Sequence, residues 1–299
     1  MTALSSATPL ALAALGGTFS ERTGVVNIAM EGMMLTGAFV AVLASATLHS
    51  AFLGLAAAIL SGMLMAVLFA WGTIRYKADQ VVVGMAINVL AAGLTGYLLN
   101  AIYGFTGTPP DTPRLPDVTI PGLAQMPGIG AVLGRADLLV YVMLLLVPLS
   151  HYFLFRTPLG LRMRAVGEHP QAADTAGIDV NRLRFLGVLI SGALSGMAGA
   201  YISIGVLNAF NVNMTNGRGY IALAAMIFGN WKPVGAFLAA ALFGLANALA
   251  INLQGLEGWH VSKDFVLMIP YALTILALAG IVRRTTPPAA DGIPYEPGH

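Results

Sequence analysis

Apolar blocks, each about 20 residues long and thus enough for one helix to cross the hydrocarbon layer, succeed one another along almost all of this 299-residue chain. No water reaches that layer, so every backbone amide and carbonyl must be paired internally, which leaves only helical bundles and closed barrels. The alternating strands of a barrel are absent, and 35 glycines suit helices in close contact. With 57% hydrophobic and 9% charged residues, the chain lies far from soluble composition. The expected fold is an all-α integral membrane protein of about nine transmembrane helices (eight to ten) in one domain, 1-284.

Spans are expected at 4–19, 25–48, 51–74, 81–103, 136–155, 185–207, 232–253 and 264–282, with 220–230 short enough to be a half-helix. The stretch 105-135 holds six prolines and reads as a long external loop, with 120–126 suited to the membrane surface. A proline-rich tail, 285-299, is expected to be disordered. VGAFLAAALFG at 234-244 echoes TGAFVAVLASA at 36-46, which suggests an inverted repeat. Gly192, Gly196 and Gly199 form a small-residue ridge that permits tight helix contact. Trp71, Trp231 and Trp259 fall near span ends, as interfacial aromatics do, and Phe210 reads as an interface anchor.

Nine spans place Arg22, Arg75, Lys77, Arg156, Arg162, Arg164, Arg182, Arg184, Lys232, Arg283 and Arg284 on one side. Only Arg114, Arg135, Arg218 and Lys263 fall on the other. The positive-inside rule then puts the 156-184 segment and the C-terminus in the cytoplasm and the N-terminus outside.

Glu21 to Leu35, ERTGVVNIAMEGMML, sets polar groups between two apolar segments. At i,i+4 on one helix, Asn27 and Glu31 would share a face. A carboxylate within the bilayer normally faces a bundle interior or a watery path. Glu31 is therefore a path candidate; the alternative is a packing role, by pairing to Arg22 or by accepting hydrogen bonds from small-residue helices, and Asn27 can equally be packing glue. Asn88 adds a further amide in the fourth span.

The chain has no cysteine, and its five histidines form no HExxH-type pair, so no metal site is expected. A formal charge of +2, widely spread, does not suit nucleic acid. No GxxxxGK[ST] phosphate loop occurs, so the chain lacks the usual cradle for ATP.

Between Arg156 and Arg184 lies GEHPQAADTAGI, which reads as a short helix in water: Pro170 at its first position, alanines inside, Gly177 at its end. This segment resembles the coupling loop of permease subunits of ATP-binding cassette importers, in the branch serving branched-chain amino acids, simple sugars and nucleosides. Gly167, Pro170, Ala172, Ala173, Ala176, Gly177 and Ile178 match a GxNPxAAxxAGI pattern, while His169 stands where Asn is usual. SERTGVVNIAMEGMML, Ser20 to Leu35, is most similar to the nucleoside-type permeases, and GRGYIALAAMIFGNWKPVGAF, Gly217 to Phe237, resembles the family's late segment.

The resemblance implies a non-enzymatic permease subunit in a bacterial cytoplasmic membrane, translocating nucleosides by alternating access. Its implied partners are an ATP-binding subunit holding ATP and magnesium, a second and unlike permease subunit, an extracytoplasmic substrate-binding protein and membrane lipid. No cofactor in this chain and no nucleic acid are implied. Asn27, Glu31 and Asn88 would line the path; Glu168, His169, Pro170, Ala172, Ala173, Asp174, Ala176 and Gly177 would meet the ATPase. Branched-chain amino acids or simple sugars are alternative cargoes. An ion-coupled secondary transporter using Glu31 is a different mechanism that one membrane carboxylate also permits.

Overall fold

A computed structural model describes residues 3–104, 112–121, 134–254 and 285–296. Its helices are α1 (Ala3–Glu21), α2 (Met30–Leu48), α3 (Ala51–Ala70), α4 (Gln80–Tyr103), α5 (Leu138–Arg156), α6 (Pro158–Glu168), α7 (Pro170–Thr175), α8 (Val180–Ala200), α9 (Arg218–Phe228) and α10 (Pro233–Gln254). A π-turn, Trp71–Arg75, prolongs α3, and a second, Tyr201–Leu207, prolongs α8. Among the described residues, six helices are long and apolar enough to cross a membrane: α2, α3, α4, α5, α8 and α10. The expected span at 264–282 lies outside the described residues, as does Trp259.

The helix at the centre is α1, which is 19 residues long and buried from Ser6 to Glu21. Buried hydroxyls are usually paired, and the two threonines of α1 bond back along it: Thr8 Oγ1 donates to Leu4 O and Thr18 Oγ1 to Ala14 O. The helices around it meet through glycine. A Cβ on Gly196 would strike the Ala58 carbonyl of α3, and one on Gly199 the Met34 carbonyl of α2. The small-residue ridge of α8 is thus the seam along which α2 and α3 approach, gaining dispersion contact where no hydrophobic effect operates between helices in lipid.

Directions follow from these contacts. Gly244 lies on Ala7 and Trp231 on Glu21, so α10 runs antiparallel to α1. Gly16 faces Ser191 and Gly187 faces Thr23, so α8 does too. Gly62 and Ala66 meet Gly192, and Gly54 meets Ala41, which makes α3 antiparallel to both α8 and α2. Hence α2 and α10 run the same way, and the echo between 36-46 and 234-244 does not join an inverted pair. Small residues recur in both segments because both helices must pack closely, which needs no symmetry.

Three further expectations change. Residues 112–121 are folded rather than loose: β1 (Asp117–Thr119) pairs antiparallel with β2 (Arg135–Asp137), and Leu115 is buried with its amide on Ile204 O. The rest of that stretch, 105–111 and 122–133, lies outside the described residues. Phe210 is core, packed edge-on against Phe39 at 5.2 Å, and Trp231 is buried too. The tail is not disordered over 285–296, because the bundle offers it partners described below.

Candidate functional site

Residues 22–29 are a break, and α2 begins only at Met30. Local chemistry builds it: Ser20 Oγ donates to Val25 O, Thr23 Oγ1 to Ser20 O, and Gly24 takes φ +86. Asn27 therefore precedes the helix and does not share a helical face with Glu31, contrary to the i,i+4 expectation. It is fully buried, its Oδ1 accepting from the Ala29 amide at 3.1 Å and its Nδ2 donating to Ser191 Oγ at 2.9 Å. The break costs backbone hydrogen bonds, and Asn27 replaces part of them.

Glu31 faces the short helix α9. Its Oε1 accepts from the Gly217 amide at 2.8 Å and its Oε2 from the Gly219 amide at 2.6 Å. Two orphan donors at a helix start, where the macrodipole is positive, are what a carboxylate satisfies best. Gly217 takes φ +78, a left-handed conformation that a side chain would strain. Arg22 does not pair with Glu31. It reaches Glu168 at 3.8 Å and donates to Trp231 O at 2.8 Å.

Asn88 of α4 ties the break from the other side. Its Oδ1 accepts from the Gly32 amide at 2.7 Å, and its Nδ2 donates to Ile28 O and Tyr220 Oη, each at 3.0 Å. Glu31 and Asn88 thus share the wall of one cavity of about 340 Å³ with Asn213, Thr215, Asn216 and Tyr220, while Asn27 lies outside its lining. Sequence reading missed these partners from the α8–α9 connection. The asparagine cluster was the available signal, since Asn208, Asn213 and Asn216 all take positive φ, which Asn tolerates better than most residues.

The far end of α9 meets the end of α1. Trp231 Nε1 donates to Glu21 Oε2, and Arg22 Nη2 reaches Asn230 O. A short helix is therefore clasped at both ends by the chain on either side of the break, Glu31 at its start and Glu21-Arg22 at its finish.

Beside that clasp lie α6 and α7. Pro170 opens α7 at its first position, His169 precedes it without a side-chain cap, and Gly177 follows at φ +79. Pro170 and Ala173 point inward, Ala173 packing with Val166, Val180 and Tyr295. His169, Ala172, Asp174, Ala176 and Gly177 are exposed. Glu168 is half-exposed, but its carboxylate faces Arg22 and accepts from the Ala289 amide at 3.2 Å. Of the predicted contact set, then, Glu168, Pro170 and Ala173 serve the protein's own packing.

The tail covers this region. The Ala290 amide donates to Gly167 O, the Thr286 amide to Asn230 Oδ1, and Arg184 Nη1 to Ile293 O. Lys77 pairs with Glu296 at 3.1 Å. Burial pushes the Asp291 carboxyl up to about 7, opposed by a hydrogen bond with Glu21 and the charge of Arg184.

The chain is 42% identical over 302 residues to the guanosine ABC transporter permease protein NupQ of Bacillus subtilis, covering 98% of this chain and 94% of that protein. It is 38% identical to the nucleoside ABC transporter permease protein NupC of Lactococcus lactis, covering 96% and 93%. A Haloferax volcanii protein provisionally named a glucose ABC transporter permease, TsgC13, is also 38% identical, over 84% of this chain and 76% of that protein. No solved structure matches. The family model described as branched-chain amino acid transport system / permease component matches residues 1–278, and the chain belongs to that permease family.

Proposed function

We propose that this chain is the membrane-spanning permease of a nucleoside importer driven by a separate ATPase. The observation that carries the reading is near-full-length similarity to two proteins named as guanosine and nucleoside permeases. The cavity chemistry supports it. Asn88, Asn213, Asn216, Thr215 and the Tyr220 hydroxyl offer donors and acceptors, and the lining carboxylate, Glu31, has both oxygens held by backbone amides. A neutral solute rich in hydrogen-bonding groups suits such a wall.

In this reading, the end of the molecule bearing α7, Lys77 and the tail faces the cytoplasm, following its excess of basic residues. The ATPase, holding ATP and magnesium, docks on the exposed side of α7 at Ala172, Asp174, Ala176 and Gly177. Its movement reaches the cavity through Glu168, Arg22 and the clasped helix α9, whose two ends are tied to either side of the break. Alternating access follows if α9 and the break shift together. A second permease subunit completes the path over α4, whose Val82, Met85, Val89 and Tyr97 are exposed beside the cavity. An extracytoplasmic binding protein delivers the cargo at the opposite end.

A titrating role for Glu31 in an ion-coupled carrier has less support, since its oxygens cap a helix. A simple sugar is the second reading, favoured by the similarity to TsgC13.

Uptake of labelled guanosine, uridine, glucose and leucine into vesicles holding this chain with its co-purifying partners tests the proposal. ATP-dependent accumulation of a nucleoside is expected. Accumulation of glucose alone would replace the cargo, and uptake driven by a proton gradient without ATP would overturn the importer reading.

A further inference from the structure

The cavity beside Trp71, about 640 Å³, lies away from the Glu31–Asn88 wall. It sits at the junction of α3, its π-turn and α8, and Tyr295 of the tail closes one side. Its chemistry is divided. Val67, Ala70, Ile74 and Phe185 make an apolar floor, whereas Arg75, Lys77 and Arg182 line the other edge, and no carboxylate lines it.

The two halves lie at a depth that gives the division meaning. Helix α3 with its π-turn runs over 25 residues, Ala51–Arg75. At 1.5 Å per residue that is about 37 Å, somewhat more than the roughly 30 Å of hydrocarbon. Arg75, at its end, therefore stands at headgroup level, with Trp71 one turn deeper where interfacial indoles lie. Along the outer face of the same helix, Leu60, Leu64 and Leu68 are exposed at i,i+4 spacing and lead straight to exposed Trp71. An apolar track thus ends in a cationic pocket.

The cations differ in their engagement. Lys77 is paired with Glu296 at 3.1 Å and Arg182 with Asp179 at 2.9 Å, both pairs well exposed and so weak. Arg75 has no ion pair or hydrogen bond among the described residues. A phosphodiester would find one unengaged guanidinium and two cations whose present partners cost little to exchange.

We propose that this cavity is a binding site for an anionic phospholipid. The headgroup phosphate lies between Arg75, Lys77 and Arg182, and an acyl chain follows Trp71, Leu68, Leu64 and Leu60. A zwitterionic lipid fits the track equally but brings a cation against three cations, so the site selects by headgroup charge. Because Tyr295 lines the pocket and Glu296 is the present partner of Lys77, an occupied site also bears on the docked tail. This inference does not depend on the cargo.

The test uses the full chain purified with its partners and returned to nanodiscs of phosphatidylcholine with a minority share of phosphatidylglycerol. Lipid retained after transfer to detergent is counted by native mass spectrometry. Enrichment of phosphatidylglycerol over its share in the disc is expected, falling about fivefold for each of Arg75→Gln and Arg182→Gln, near the worth of one cation at a membrane surface. Arg156→Gln, an exposed arginine outside the cavity, should leave enrichment unchanged. Thermal unfolding in pure phosphatidylcholine confirms that each variant is folded. Equal retention of both lipids, or enrichment unaltered in both cavity variants, overturns the proposal. So does loss of the ATPase in Arg75→Gln with lipid selectivity intact, which would assign the groove to a protein partner. Displacement of the lipid by millimolar inorganic phosphate would reduce it to a simple anion site and equally overturn it.

Discussion

Glu31 Oε2 accepts from the Gly219 amide at 2.6 Å, joining two residues 188 positions apart at the start of a helix of 11 residues. The bond makes the carboxylate a cap for α9. Glu31→Ala leaves the Gly217 and Gly219 amides unpaired and is expected to destabilise the fold by roughly 1–2 kcal/mol, in the range of a lost helix cap. Glu31→Gln keeps an acceptor and should lose less than half of that. Thermal unfolding of both variants in one detergent checks the order. Equal stability of wild type and Glu31→Ala would remove the capping role.

Asn88 and Tyr220 face the same cavity but should behave differently. Asn88→Ala orphans the Gly32 amide and the Ile28 carbonyl, a cost of about 1–3 kcal/mol for a buried group left unsatisfied. Tyr220→Phe removes a hydroxyl at the cavity wall and one acceptor of Asn88, which keeps its bonds to Ile28 O and the Gly32 amide. It should unfold at the wild-type temperature while its transport is impaired, expected as a several-fold rise in the concentration for half-maximal uptake. A Tyr220→Phe variant with unaltered uptake would remove this side chain from the path.

The two faces of α7 separate docking from folding. Ala172→Arg and Ala176→Arg change exposed positions, so each should abolish co-purification of the ATPase without lowering thermal stability. Ala173→Arg drives a charge among Val166, Val180 and Tyr295 and should destabilise the chain itself. If Ala173→Arg alone loses the ATPase while staying fully stable, the assignment of faces is wrong.

Tail docking should depend on pH. Asp291 has a pKa of about 7 when docked, against 3.8 for an ordinary aspartate, because docking buries it, a shift that the hydrogen bond with Glu21 and the charge of Arg184 oppose. The docked form holds a proton that a lifted tail releases. Docking is therefore strongest below about pH 4, weakens as pH rises towards 7, and is constant above that. Hydrogen exchange at the Ala290 amide should accelerate from pH 5.5 to 7.5 beyond the intrinsic chemical rate. In Asp291→Asn the excess should vanish; an excess that persists there belongs to another group.

Close approach sets the tolerance of the α8 seam. Gly199→Ala puts a methyl group on the Met34 carbonyl, a backbone atom that cannot turn aside. A loss of about 1–3 kcal/mol is expected, as for other overpacked contacts. An unchanged unfolding temperature would show that α2 and α8 can separate at no cost.

The sequence by itself determined the solvent and the class of fold. Apolar blocks of membrane length force helices, because nothing else satisfies the backbone in lipid. Local patterns were equally readable where the physics is local: Pro170 and Gly177 bracket α7, and the Gly192, Gly196 and Gly199 ridge becomes the contact seam. Only the tertiary structure decided which polar groups meet. Glu31 finds Gly217 and Gly219, Glu21 finds Trp231, and Asn88 finds Gly32 across separations that no helical period encodes. The same holds for the tail, whose proline-rich composition lacks a core of its own. It is ordered over 285–296 because Gly167, Arg184, Asn230 and Lys77, drawn from four separate segments, present partners at one end of the bundle. Composition reports what a segment can do alone, whereas a borrowed hydrogen bond exists only once the helices have assembled.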